Sequence, residues 1–145
     1  MASLDTAADT TAPSLQEPLP LTPFESYMIA DDQHEYPRTF VTQMQFDGRV
    51  DQAAFSAALA IALARNPLLT ARLDEDNRRG PWWVAGDTTP VLDFGPESEP
   101  LTGGCARPID LRHEPGLRTW VRAGDKTSRI VFQYHHACCD GVGAS

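Results

Sequence analysis

The 145-residue chain is short of positive charge, of cysteine and of long apolar runs. Lys and Arg total 12 against 20 Asp and Glu, a formal net charge of −8. An acidic surface repels phosphate backbones and anionic headgroups, which argues against nucleic acid and membrane surfaces as partners. The longest apolar run, Ala53 to Ala64, is 12 residues and is interrupted by Ser56. That falls short of the roughly 20 residues that span a bilayer. The 3 cysteines are odd in number, and Cys138 and Cys139 are adjacent. A small secreted scaffold would carry an even, spaced set. Met1 to Gln16 is rich in Ala, Thr and Asp, with neither a basic start nor an apolar stretch, so it reads as a disordered tail rather than a signal peptide. Together these features predict a reducing, cytoplasmic compartment, with a tail over 1–17 and a folded unit over 18–145. No internal repeat is visible.

What is present fits one soluble globular domain. Apolar residues make up 41% of the chain, enough for a core in a unit of this length. Thr22-Pro23-Phe24-Glu25 reads as a helix start: Thr22 caps, Pro23 sits in the first turn and Glu25 reaches back. Phe24, Tyr27 and Met28 then share one face of a short helix, which the polar segment Asp31 to Pro37 ends. Thr39 to Phe46 reads as a strand from its β-branched content, although its alternation is imperfect. Asp47-Gly48-Arg49 is a turn. Asp51 caps a helix running to about Asn66, with Phe55, Ala58, Leu59, Ala62 and Leu63 on one face. Pro67 stops it, and Leu68 to Leu73 is expected to be a strand. Short strands are expected at Trp82 to Ala85 and Pro90 to Phe94. The stretch Pro96 to Gly104 is a loop. Leu117 to Ala123 and Ser128 to Tyr134 form a hairpin across Gly124-Asp125-Lys126-Thr127. Helices mixed with several strands predict an α+β fold, an α/β two-layer sandwich.

The chemistry concentrates in His135-His136-Ala137-Cys138-Cys139-Asp140-Gly141, directly after the last strand. A histidine at a strand end projects into whatever cleft lies above the sheet. Its imidazole titrates near neutral pH and can take a proton from an alcohol, amine or thiol. Asp140 can fold back to fix the turn, and Gly141 leaves room for a close approach of the backbone.

This His-His-x-x-x-Asp-Gly pattern resembles the signature of the CoA-dependent acyltransferase superfamily, which includes chloramphenicol acetyltransferase-like proteins, nonribosomal peptide condensation domains, wax ester synthase-like proteins and plant alcohol acyltransferases. Leu19-Pro20-Leu21-Thr22-Pro23 is similar to the opening of condensation-like domains. Ala64 to Arg72 resembles their R-H-x-x-L-R-T segment, with Asn66 where His is common. Pro108-Ile109-Asp110-Leu111 and Pro115-Gly116-Leu117-Arg118 resemble the segment before their hairpin. The resemblance implies a chloramphenicol acetyltransferase-like fold with a mixed sheet. It makes His136 the catalytic base, with His135, Asp140 and Gly141 supporting. It also implies an acyl-CoA or phosphopantetheinyl thioester as co-substrate, an alcohol or amine acceptor and no permanently bound cofactor. Arg72 and Arg118 are candidate partners for Asp140. Family members carry two similar lobes around a tunnel, whereas this chain stops just past the motif, in the first part of the N-terminal lobe. Alone it is therefore expected to have little transferase activity, for want of a completing lobe.

Other readings of the same residues stand beside this one. The two histidines could be satisfied structural residues. Four Cys and His side chains within five residues cannot converge on one ion, so no metal site is expected. The cysteines read as small buried residues; Cys139 as a nucleophile lacks a third, orienting group. Trp82-Trp83 reads as core or interface, and Arg78-Arg79 as a solvated turn. As an alternative to an enzyme, the fold could serve as a docking module, and its exposed sheet edge predicts self-association.

Overall fold

Local signals set the first elements of the computed structural model, which describes residues 15–76, 78–102 and 107–139. Leu19–Pro20 forms a two-residue strand, β1. Thr22 then caps helix α1 (Pro23–Ala30) through the expected box: its hydroxyl accepts from Glu25 N while Glu25 accepts from Thr22 N at 2.8 Å. The buried side of α1 differs from the sequence expectation. Met28 and Ile29 pack on the core, whereas Phe24 and Tyr27 are exposed. The eight-residue helix is too short for its own periodicity to fix which face docks.

Strand β2 (Thr39–Asp47) follows, then the turn at Gly48, whose φ of 88° lies in the left-handed region that glycine tolerates. Helix α2 (Gln52–Arg65) is capped by the Asp51 carboxylate, which accepts from Ala54 N at 2.8 Å. After Pro67 the chain does not extend at once. Pro67–Leu69 is a 3₁₀ turn, and strand β3 covers only Ala71–Asp74, not the expected Leu68 to Leu73. Proline fixes its own φ near the helical value, which favours one more tight turn before the strand. Strands β4 (Trp82–Ala85), β5 (Val91–Pro96), β6 (Leu117–Ala123) and β7 (Thr127–His135) complete the elements.

Two sheets result. A small antiparallel sheet has the order β1-β4-β3, and a four-stranded mixed sheet has the order β2-β7-β6-β5, with β5 parallel to β6. The β6–β7 hairpin is the one expected. The register puts Phe40, Thr42, Met44 and Phe46 of β2 on the same face as Ser128, Ile130, Phe132 and Tyr134 of β7, so the strand alternates strictly where its sequence looked irregular. Helix α2 covers this face, with the Phe55 and Phe132 rings stacked at 6.4 Å. Segments 97–102 and 107–114 cover the other face, where Arg118 and Arg122 are buried. The small sheet brings Trp83, Leu73 and Ala71 against Ile109, Leu111 and Ala137. Among the described residues, no helix is long and apolar enough to cross a membrane. The tail expected over 1–17 lies mostly outside the described residues.

Candidate active site

The end of β7 is held from both sides. The backbone N–H of His135 donates to Gly116 O at 3.0 Å, and that of His136 donates to Arg38 O at 2.8 Å. Cys138 N closes the following turn on His135 O at 2.9 Å. Because successive residues of a strand point to opposite faces, the two histidines enter different surroundings.

His135 points inward and is fully buried. Its Nε2 lies 3.1 Å from Asp32 Oδ2, and its Nδ1 accepts from Ala137 N at 3.1 Å. Burial pushes its pKa below the ordinary histidine range, with the Asp32 carboxylate opposing the shift only in part. His136 is half-exposed. Its ring leans on Phe40 with centroids 4.5 Å apart, and it makes no hydrogen bond among the described residues. It lines an open hollow of about 260 Å³ together with Phe24, Glu25, Asn66, Leu68, Cys138 and Cys139. Asn66 also borders an apolar cavity of about 300 Å³ between α2 and the sheet, walled by Leu59, Leu63, Leu69, Leu117, Phe132 and Tyr134. A half-exposed imidazole lining an open hollow that shares Asn66 with an apolar cavity can accept a proton from a bound nucleophile.

The other sequence candidates separate. Asp140 and Gly141 lie outside the described residues. Arg118 is engaged by Glu114 at 2.6 Å, by Gln133 at 3.0 Å and by the carbonyls of Arg107 and Pro108. Arg72 sits 4.0 Å from Asp87. Cys138 is half-buried against the core, and burial raises its thiol pKa well above the usual range, which suits packing rather than nucleophilic attack. Among the described residues, no three His, Cys, Asp or Glu side chains form a group able to hold a metal ion. Trp83 is core. Asp32, Arg38 and Gly116 were invisible as site residues in the sequence. Asp32 and His135 are 103 positions apart, and no local pattern marks such a contact.

Gly116 shows how tightly the turn is packed. A Cβ there would collide with Cys138 Sγ and lie 2.9 Å from Cys138 Cβ and 3.3 Å from Leu111 Cδ2. Gly116→Ala is therefore expected to cost about 1–3 kcal/mol as an overpacked site. It should also displace Cys138, raising the rate at which a thiol reagent labels it. A denaturant melt and labelling matching the native chain would contradict this packing.

This arrangement is a condensation-domain-like fold present as a partial lobe. The starter condensation domain of rhizomide synthetase, in a mutant bound to C8-CoA, superposes with a TM-score of 0.72 at 18% identity, over 88% of this chain and 32% of that one. The tallysomycin biosynthesis protein TlmII superposes with a TM-score of 0.66 at 17% identity, over 82% of this chain and 33% of that one. No family model matches the chain. In sequence it is similar to an uncharacterized protein of Mycobacterium tuberculosis, found in strains H37Rv and CDC 1551, at 27% identity over 135 residues. The match covers 89% of this chain, which spans about a third (31%) of the length of those relatives.

Proposed function

We propose that residues 18–145 are the N-terminal lobe of an acyltransferase that moves an acyl group from a CoA or carrier-protein thioester to an alcohol or amine, with His136 as general base. The observation that carries this reading is the half-exposed imidazole of His136, fixed on a pinned turn beside an apolar groove. In the proposed step His136 accepts the proton of the acceptor O–H or N–H as that atom bonds to the thioester carbonyl carbon. Collapse of the tetrahedral adduct breaks the C–S bond, and the imidazolium returns the proton to the departing thiolate. The groove beneath α2 offers apolar surface for an acyl chain. His135 supports the turn, and supporting roles are assigned to Asp140 and Gly141, which lie outside the described residues, by the resemblance of the motif. No permanent cofactor is needed. The work is assigned to the cytoplasm, with a completing second lobe or a second copy of the chain as partner.

The rhizomide synthetase domain has been crystallised with C8-CoA and with C8-CoA and Leu-SNAC together, which supports the thioester reading. The test is release of free thiol from octanoyl-CoA with alcohol and amine acceptors. It compares the 145-residue chain with a two-lobed protein that contains it. The isolated chain should stay at the background hydrolysis rate, because water competes on an open face. The two-lobed protein should turn over, and His136→Ala should lower kcat/KM by about 10²–10⁴-fold. Undiminished turnover in that variant would remove His136 as the base. Turnover by the isolated chain that His136→Ala abolishes would show that no second lobe is required.

A further inference from the structure

We propose that Asp32 is the positioning residue of the histidine pair: it fixes His135 as the neutral Nε2–H tautomer, and that tautomer holds the turn that presents His136. The value of this for acyl transfer rests on His136 being the base; the lock itself does not.

The tautomer follows from the hydrogen-bond network. The N–H of Ala137 points at Nδ1 of His135 from 3.1 Å, and a backbone N–H can only donate, so Nδ1 carries a lone pair. In a neutral ring the proton is then on Nε2, aimed at Asp32 Oδ2 at 3.1 Å. The second oxygen of Asp32 accepts from Arg38 N at 2.7 Å. Arg38 in turn offers its carbonyl to His136 N at 2.8 Å. One carboxylate thus ties the loop after α1, the start of β2 and the turn after β7. Both of its oxygens are committed, and so are both ring nitrogens of a histidine with no exposed surface.

Protonation of His135 would place an N–H on Nδ1, facing the N–H of Ala137, and the turn could not stay closed. Asp32 and, at longer range, Asp110 favour the cation; burial and His136 oppose it, and the balance keeps the ring neutral. Asparagine at position 32 cannot replace the carboxylate although it has the same shape. It has one acceptor for two donors, so either Arg38 N–H or His135 Nε2–H loses its partner. Moving the ring proton to Nδ1 would only set it against Ala137 N–H.

The experiment is ¹⁵N-resolved NMR of the histidine side chains across pH, with modification of His136 by diethyl pyrocarbonate followed by mass spectrometry. In the native chain His135 should be a single Nε2–H tautomer at neutral pH and stay neutral below the pH at which an ordinary histidine titrates. Asp32→Asn should destroy that purity and change the His136 modification rate severalfold. Asp51→Ala, which removes the cap of α2 elsewhere in the fold, should leave both signatures in place and so controls for general loss of stability. An Nδ1–H or charged His135 in the native chain overturns the proposal without any variant having to fold. Asp32→Asn with native tautomer and native His136 reactivity also overturns it. If the lock is observed while His136→Ala keeps full transferase activity, the assignment of His136 as the base falls and the lock stands.

Discussion

Asp93→Ala is expected to lower the unfolding free energy by about 3–5 kcal/mol, because it strands a buried guanidinium. Arg122 is 1% exposed. Its nitrogens reach both Asp93 oxygens at 3.2 Å and the carbonyls of Glu99, Pro100, Asp93 and Val121 at 2.9–3.1 Å. The carbonyls satisfy its donors, the Asp93 carboxylate is the acid that pairs with it directly, and Arg129 of β7 lies directly across the ladder. Hydrogen bonds from Arg122 and Thr102 hold the Asp93 carboxyl below the usual carboxylate range. Stability from this pair is therefore present above the unfolded carboxylate pKa and lost as pH falls through the lower folded value. Urea melts with an unchanged m-value would measure the loss. Replacing both partners, as in Asp93→Leu with Arg122→Met, should recover much of it. A single-variant loss under about 1 kcal/mol would mean that the carbonyl cage alone suffices.

Trp83→Ala should have a comparable effect, about 3–5 kcal/mol, typical of emptying a large aromatic site. Trp83 is 1% exposed and packs with Leu73, Ile109, Leu111 and Ala137. Its indole N–H donates to Glu25 Oε2 at 3.1 Å, the same oxygen that accepts from Thr22 N. The substitution therefore opens a cavity beside the histidine turn and loosens the cap of α1 together. Trp82, its neighbour on the opposite face of β4, is half-exposed, and Trp82→Ala should cost far less. Denaturant melts of the two variants decide the matter. Equal losses would show that the small sheet is not anchored through Trp83.

Features that rest on neighbouring residues were legible in the sequence. The Thr22–Glu25 box, the Asp51 cap and the stop at Pro67 all work within a few positions. The β6–β7 hairpin needs only a short turn between two apolar runs. The histidine pair at the end of the last strand was likewise placed correctly, since strand and motif are contiguous. The exposure of Phe24 and Tyr27 was not legible, because the docking face of α1 is chosen by Trp83, Leu73 and Ile109 from distant segments. Nor was the 3₁₀ turn at Pro67–Leu69, or the split into two sheets.

The amino-acid order by itself determined where the two helices start, where the β6–β7 hairpin turns and that two histidines close the final strand, because capping and turn energies act over a few bonds. Only the tertiary structure decided which histidine is buried and which faces the groove. That choice depends on Asp32, Arg38 and Gly116 converging on β7 from far along the chain, and on the low-dielectric interior that keeps His135 uncharged.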